Sequence, residues 1–127
     1  MREIKFRAKR TDNGAWVTGD LQHVQRINTK EQSGRRSEPA VRIANCDVDE
    51  ETIGQYTGLK DKYGREIYEG DILYYRDAKI KTPITYRNGG FYFSHYGGTT
   101  FSAIADHEIN KYTVVGNIHD NPELLTE

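Results

Sequence analysis

The sequence has little of several residue types that would constrain its fold or place it in a membrane. Its one cysteine, Cys46, excludes an internal disulfide and fits a reducing compartment. The longest stretch without acidic residues, lysine or arginine is residues 88–105, whose four glycines and one histidine exclude a membrane span. The basic residues at the start are not followed by the apolar segment of a secretory signal. We therefore expect a soluble, cytoplasmic protein with no membrane contact.

The chain also lacks an excess of charge of either sign. Its 18 basic and 19 acidic residues leave a net charge of −1, so overall charge gives no argument for binding to nucleic acid or a membrane. The distribution is uneven, with ten basic and five acidic residues in 1–42 against eight basic and 14 acidic residues in 43–127. Either solvated faces differ in sign, or the two halves complement a partner or a neighbouring copy of the chain.

The apolar residues that are present favour β-sheet. Isoleucine, valine, threonine and the aromatic residues number 42, whereas alanine, leucine and methionine number 13. β-Branched and aromatic side chains pack well on a pleated surface, and alanine and leucine favour helices. A length of 127 residues suits one domain. The composition therefore predicts a single, mostly β domain over residues 1–127.

The first half of the chain contains a predicted hairpin and a long polar segment. Apolar and basic residues alternate over residues 4–9, as in a strand with one solvent-exposed face. A turn at residues 12–14 leads to a second predicted strand over residues 15–24. Residues 27–39 have almost nothing to bury, so we predict a mobile loop or an extended hairpin tip there.

Further along the chain, short elements alternate with turn residues. Asp47, with Glu50 three residues later, is typical of a helix N-cap. Pro83 lacks a backbone donor, which predicts an edge strand or a bulge over residues 80–86. Asn-Gly at residues 88–89 predicts a two-residue hairpin turn. About eight short strands predict a β-rich α+β fold, either a small partly open barrel or a strongly bent antiparallel sheet with short peripheral helices.

The patterns of common catalytic and metal sites do not match this chain. Residues 54–60 fail as a phosphate-binding loop, because the spacing is wrong and no hydroxyl residue follows the lysine. Cys46 and the four histidines lack the closely spaced partners that zinc requires. Glu69 and Asp71 share a strand face as an acid–base pair would, although a tight turn needs the same residues. We therefore predict no catalytic residues, no metal and no cofactor, with a small hydrolase as a weaker alternative.

Basic residues near tyrosines are the remaining candidates for a binding surface. Small β-sheets bind nucleic acid by stacking bases on aromatic rings and contacting phosphates with basic side chains. The candidates are three basic residues of the polar segment and two tyrosines on the face opposite Phe91, namely Lys30, Arg35, Arg36, Tyr92 and Tyr96. Tyrosines in such positions also cover the edge of a core with the hydroxyl in water, so a structural role is the alternative.

Three segments of the chain resemble the YopX-like family of phage and prophage proteins. They are MREIKFRA at residues 1–8, IGQYTGLKDKYGREIYEGDI at residues 53–72 and VVGNIHDNPELL at residues 114–125. The middle segment is long and specific, whereas residues 19–45 and 76–112 carry no matching motif. The resemblance implies a small phage-encoded protein in the cytoplasm of a bacterial host, with no established biochemical activity. It therefore supplies no catalytic or binding residues.

Together, the resemblance and the unmatched catalytic patterns predict a non-enzymatic accessory protein that binds a host or phage macromolecule. A protein partner, still unidentified, is favoured over nucleic acid, and a homo-oligomer is an open alternative. The second hypothesis is a small nucleic-acid-binding β-barrel that uses residues 26–42.

Overall fold

A computed structural model describes residues 3–28, 36–75, 79–87, 89–95, 100–103 and 109–125. These residues are mostly in β-strands, and the helices among them are short 3₁₀ helices. They form two compact units, which we call the N-terminal unit, Ile4–Ile53, and the C-terminal unit, which comprises Glu3 and the described residues from Gly54 onward. The prediction of one domain over residues 1–127 stays a prediction.

The described part of the N-terminal unit contains a hairpin and a three-stranded sheet, both antiparallel. Strands β1 (Phe6–Lys9) and β2 (Trp16–Gly19) form the hairpin. The sheet has the order β3 (Leu21–Asn28), β4 (Arg36–Ile43) and β5 (Cys46–Asp47). All eight residues of β3 pair with β4. On the other side of β4, β5 pairs with only two residues, Arg42 and Ile43. The other side of β4 is therefore mostly without a registered strand among the described residues.

Two predictions for this unit have different outcomes. The strand predicted over residues 15–24 is divided at Asp20, where β2 ends and β3 begins. Within the polar segment, residues 27–28 and 36–39 belong to β3 and β4, as in an extended hairpin. Residues 29–35 lie outside the described residues.

The N-cap predicted at Asp47 is wrong, because Asp47 ends β5 instead. Its carbonyl accepts a hydrogen bond from the Thr11 N–H at 3.0 Å, which holds it in an extended strand. The cap of the 3₁₀ helix Glu50–Thr52 is Asp49, whose carboxylate accepts a hydrogen bond from the Glu51 N–H at 3.1 Å. The sequence signal was therefore present, but two residues further along the chain.

The turn between β4 and β5 contains two non-glycine residues with positive φ. Ala44 has φ of 52° and Asn45 has φ of 61°, as in the two-residue turns that suit antiparallel hairpins. Asparagine tolerates this region, but alanine adopts it at a cost. The Arg42 side chain donates a hydrogen bond to the Asn45 carbonyl across the turn. Ala44 is therefore a strained position.

The core of the N-terminal unit is small. Its buried members are one alanine and three branched aliphatic residues, namely Ala8, Val41, Ile43 and Val48. Partly buried side chains pack against them, namely Phe6, Val17, Leu21 and Ile53. The strand predicted over residues 4–9 begins at Phe6, and its apolar residues Phe6 and Ala8 belong to this core, whereas Ile4 is 66% exposed.

The described part of the C-terminal unit contains a hairpin and a five-stranded antiparallel sheet. The hairpin consists of β6 (Gly54–Lys60) and β7 (Glu66–Tyr68). The sheet has the spatial order β11-β10-β9-β8-β12, with β8 (Asp71–Tyr75), β9 (Ile80–Arg87), β10 (Gly90–His95), β11 (Thr100–Ala103) and β12 (Tyr112–Asn117). Two further 3₁₀ helices span Ile109–Lys111 and Pro122–Leu125.

The edge strand predicted at Pro83 is wrong, because β9 lies between β8 and β10, and the alternative of a bulge stays a prediction. The register of β9 and β10 ends at Ile84 and Phe93, so the next position would place Pro83 opposite Ser94. Proline cannot donate to the Ser94 carbonyl, but the hydroxyl of the preceding Thr82 donates to it at 2.9 Å. A neighbouring side chain therefore replaces the missing backbone donor and allows proline in a central strand.

The core of the C-terminal unit is larger and includes aromatic rings. Its buried members are Ile67, Leu73, Ile84, Phe93 and Ile109. The Tyr112 ring stacks on two others, with centroid distances of 4.7 Å to Phe93 and 5.0 Å to Tyr75. Of the turn predicted at residues 88–89, Gly89 has φ of 81° and the flanking Arg87 and Gly90 pair with each other, whereas Asn88 lies outside the described residues.

Asp61 organises the turn between β6 and β7. Its side chain is 6% exposed, and its carboxylate accepts hydrogen bonds of 2.9 Å from the N–H groups of Tyr63, Arg65 and Val114. Burial disfavours the charged carboxylate, but these three donors and the nearby guanidinium of Arg65 outweigh it and lower the pKa of Asp61. One side chain thus joins the turn to β12.

The predicted β-rich class with antiparallel sheets is confirmed. None of the described sheets closes into a barrel, and the choice between a partly open barrel and a strongly bent sheet stays a prediction. The predicted short helices are 3₁₀ helices of three or four residues.

Candidate functional site

A groove of about 510 Å³ lies on the N-terminal unit, and we call it the N-terminal groove. Three separate segments of the chain line it: the end of β1 with the turn after it, the middle of β4, and the residues from β5 to the first 3₁₀ helix. The lining residues are Lys9, Arg10, Thr11, Gly14, Pro39, Ala40, Val41, Asp47, Val48, Asp49 and Glu50.

Backbone hydrogen bonds fix two of these segments to each other. The Thr11 N–H donates to the Asp47 carbonyl at 3.0 Å, and the Asp49 N–H donates to the Lys9 carbonyl at 2.9 Å. Between these two bonds, Arg10 pairs with Val48 as an isolated antiparallel bridge. The groove is therefore built on backbone pairing, which keeps its lining in place.

The apolar part of the lining comes from β4 and Val48. Ala40, Val41 and Val48 are buried, and the exposed Pro39 precedes them on β4. Among the described residues, β5 pairs only with Arg42 and Ile43 of β4, so Pro39 lies beyond the end of that ladder. Proline suits such an edge because no partner strand requires its N–H.

The basic side of the groove contains Lys9 and Arg10. The Arg10 guanidinium forms two hydrogen bonds with the Asp12 carboxylate, at 2.6 and 2.9 Å. This pairing raises the pKa of Arg10 and lowers the pKa of Asp12. The Lys9 ammonium lies 5.6 Å from the centre of the Trp16 ring, a cation–π contact. Both cations are thus held near the surface by neighbouring groups.

The acidic side of the groove contains Asp47, Asp49 and Glu50. The Asp47 carboxylate lies 3.2 Å from the Arg42 guanidinium, and the Asp49 carboxylate caps the 3₁₀ helix. The Glu50 side chain is exposed at the first position of that helix. The groove therefore has acidic and basic groups, with apolar side chains in its lining.

Two of the five residues predicted to bind nucleic acid are among the described residues, and they belong to different units. Arg36 begins β4, where it pairs with Asn28. Tyr92 is half-buried in β10, where it pairs with Thr85 on β9 and Ala103 on β11. Lys30, Arg35 and Tyr96 lie outside the described residues. The interface predicted from these five residues stays a prediction.

The two carboxylates of the hydrolase alternative have different surroundings. Asp71 is 1% exposed, and its carboxylate accepts a hydrogen bond from the Tyr68 N–H at 2.8 Å, as expected for a residue that holds a turn. Glu69 is half-buried, and burial raises the pKa of its carboxyl group. Neither residue lines the N-terminal groove.

Sequence analysis missed the N-terminal groove. Its lining residues come from positions 9–14, 39–41 and 47–50, which only the pairing of the strands brings together. The only local signal was the pair Asp47 and Glu50, which we interpreted as a helix N-cap. A site of this kind leaves no fixed spacing in the sequence.

In the described ranges, no group of three or more histidine, cysteine, aspartate or glutamate side chains is arranged to hold a metal ion. The same ranges contain no helix with the length and apolar character that crossing a membrane would need.

Comparison with known proteins gives a family and a structural relative. A family model described as YopX protein matches residues 5–126. The fold is similar to the crystal structure of protein EF1440 from Enterococcus faecalis, with a TM-score of 0.64 and 29% sequence identity. That match covers 98% of this chain and 99% of the other. The search of curated proteins gave no match.

Proposed function

The chain belongs to the YopX family, as its three sequence segments predicted, and we propose that it acts by binding a protein partner in the N-terminal groove. The observation that carries this proposal is the composition of the groove, which is lined by acidic, basic and apolar residues together. The partner segment that fits such a lining is an extended peptide with a basic side chain next to an apolar one.

The charges of the groove favour a peptide over a nucleic acid. Three carboxylates, from Asp47, Asp49 and Glu50, would repel a phosphate backbone that passed along the groove. A basic side chain of a peptide, by contrast, gains favourable interactions with the same groups. Carboxyl groups of the peptide would in turn face Lys9 and Arg10.

The apolar lining supplies the contact area that charged groups alone do not. Pro39 is exposed, and Val41 and Val48 lie beneath the groove as members of the small core. An apolar side chain of the partner that covers these residues would remove its own surface from water. Exposed ion pairs such as Arg10–Asp12 contribute little to stability, so a partner carboxylate can replace Asp12 without destabilising the fold.

A randomised peptide library tests the proposal with the full chain as bait. We expect enrichment of peptides with lysine or arginine beside an apolar residue. Glu50→Lys should weaken their binding about tenfold or more, because it replaces attraction with repulsion. Asp20→Lys is the matched control, since Asp20 is exposed in the same unit but does not line the groove. Lack of enrichment, or equal effects of both variants, would contradict the proposal.

The proposal also covers activity, origin, cellular location and oligomeric state. We propose a non-enzymatic role, an origin in a phage or prophage and a cytoplasmic location in a bacterial host, all of which follow from the family resemblance. Homo-oligomer formation is also part of it, supported by the opposite net charges of residues 1–42 and 43–127.

A further inference from the structure

The turn between β6 and β7 presents an exposed tyrosine with basic side chains around it. The Tyr63 side chain is 64% exposed. The Lys62 ammonium lies 5.1 Å from the centre of its ring, and the guanidinium carbon of Arg65 lies 5.7 Å from it. We call these three side chains the turn surface. It lies within the C-terminal unit and is separate from the N-terminal groove.

The backbone of the turn surface is held in one conformation. Asp61 accepts hydrogen bonds from the N–H groups of Tyr63 and Arg65, and the Arg65 guanidinium donates to the Val114 carbonyl at 2.9 Å. Gly64 has φ of 80°, which completes the turn without strain. Because the exposed ring and one of its cations are already positioned, a ligand that binds them loses little conformational freedom of the protein.

The exposed charge around the ring is mainly positive. Lys60 is exposed at the start of the turn, and the Lys62 N–H donates to the Tyr112 carbonyl at 3.2 Å, next to the exposed Lys111. The carboxylate of Asp61 is buried against backbone donors. The other acidic residue within residues 60–66, all of which are described, is Glu66, which pairs with Lys60 across the hairpin and accepts a hydrogen bond from the Tyr68 hydroxyl at 3.1 Å.

We propose that the turn surface binds single-stranded nucleic acid, with a base stacked on the Tyr63 ring and adjacent phosphates contacted by Lys62 and Arg65. Stacking on an exposed aromatic ring together with basic side chains is the usual chemistry of such sites. The flexible Lys62 side chain can leave the ring for a phosphate, while Arg65 stays anchored by its bond to Val114.

The exposed ring favours a nucleic acid over an acidic peptide. Carboxylates would use the two cations alone and would leave the face of Tyr63 in water, whereas a base covers it. The sequence also contained a signal for this site, because Lys60, Lys62 and Arg65 surround one aromatic residue within a short segment.

Fluorescence anisotropy with a labelled oligothymidylate of about 15 nucleotides tests the proposal on the full chain. We expect Tyr63→Leu to weaken binding about tenfold and Tyr63→Phe to retain it, since stacking does not need the hydroxyl. Lys62→Gln should reduce the slope of log affinity against log salt by about 0.7, the value for one phosphate of a single strand. An abasic strand of the same length should bind about as weakly as the Tyr63→Leu variant binds the oligothymidylate.

Tyr86→Leu is the control, because Tyr86 is a 45% exposed tyrosine of the same unit that lies in β9. Absence of binding at low salt would overturn the proposal. Equal effects of Tyr63→Leu and Tyr86→Leu would also overturn it, and so would equal affinity for the abasic strand, which would indicate a polyanion surface without base stacking. Each of these results leaves the peptide proposal unchanged, since that groove belongs to the other unit.

Discussion

In the C-terminal unit the carboxylates of Asp61 and Asp71 are buried and accept backbone hydrogen bonds, whereas in the N-terminal unit the Arg10–Asp12 pair lies at the surface. Of the six buried polar side chains among the described residues, five belong to the C-terminal unit, and the sixth is Thr52. The C-terminal unit therefore buries more of the polar side chains that hold its backbone. In the N-terminal unit, charged groups lie around a groove.

Among the variants that test this difference between the units, replacement of Asp61 should cause the largest loss in the free energy of unfolding. Asp61→Ala leaves three N–H groups of the C-terminal unit without their carboxylate acceptor, so we expect a loss of about 4 kcal/mol in the free energy of unfolding. Urea denaturation measures it. Asp12→Ala in the N-terminal unit is the control and should leave the midpoint unchanged, because that ion pair is exposed. Similar losses for both variants would contradict the account.

A close backbone contact gives the next largest effect. A Cβ atom at Gly54 would lie 2.5 Å from the Glu69 carbonyl oxygen, so Gly54→Ala should cost about 3 kcal/mol. Gly14→Ala in the N-terminal unit meets no atom within 4 Å and should cost only about 1 kcal/mol, because its φ is +72°. Thermal unfolding measures both losses, and the larger loss expected for Gly54→Ala would come from the close contact with Glu69 and not from a positive φ. An equal shift would show that the contact at Gly54 is relieved by movement.

The explanation for proline in a central strand predicts a smaller loss. Thr82→Val keeps the side-chain shape but removes the donor to the Ser94 carbonyl, which should cost about 1.5 kcal/mol. Thr18→Val, at an exposed position of β2, should cost nothing measurable. If Thr82→Val were also neutral, the hydroxyl would not be the replacement for the missing N–H of Pro83.

The strained turn of the N-terminal unit predicts a gain in stability. Ala44 has φ of 52°, a conformation that glycine adopts without the Cβ penalty, so Ala44→Gly should add about 0.5 kcal/mol. Denaturant midpoints of the wild type and the variant measure the change. A loss of stability would show that the entropy of glycine in the unfolded chain outweighs the strain.

The pH dependence of stability gives the smallest effect at neutral pH. The folded-state pKa of Asp61 is lowered, so its contribution is complete above the unfolded-state pKa of about 4 and is lost as pH falls through the folded-state value. Asp61→Asn should therefore show a shallower decline of unfolding free energy below about pH 4 than the wild type does. If the unfolding free energies of the wild type and the variant fell in parallel below pH 4, other carboxyl groups would control the loss of stability in acid.

The sequence predicted much of the fold because local patterns determine strands and turns. Alternation over residues 4–9 and the Asn-Gly turn at residues 88–89 needed no knowledge of partners. The edge-strand interpretation of Pro83 was wrong because the hydroxyl of Thr82 donates to the Ser94 carbonyl on β10 in place of the missing N–H. The residues around Pro83 do not indicate which strand pairs with them. Asp47 resembled a cap but was held in a strand by Thr11, which is 36 residues away in sequence.

The N-terminal groove was not predictable in the same way. It depends on pairing between β1, β5 and β4, so residues with no common motif become neighbours. The turn surface differs from it, because its ring and cations lie within six residues of one hairpin. A site formed by residues that are close in sequence can therefore be recognised from the sequence, whereas a site assembled from separate strands can be recognised only once the fold is known.

Site-specific photo-crosslinking in bacterial cells tests most directly the claim that the N-terminal groove contacts a protein. A crosslinking amino acid at Thr11, in the groove, and another at Thr18, exposed in the same unit but outside it, provide the comparison. The account predicts a discrete protein adduct at position 11 that is absent at position 18 and is lost with Glu50→Lys. Equal adducts at both positions, or an adduct at position 11 that persists with Glu50→Lys, would contradict it.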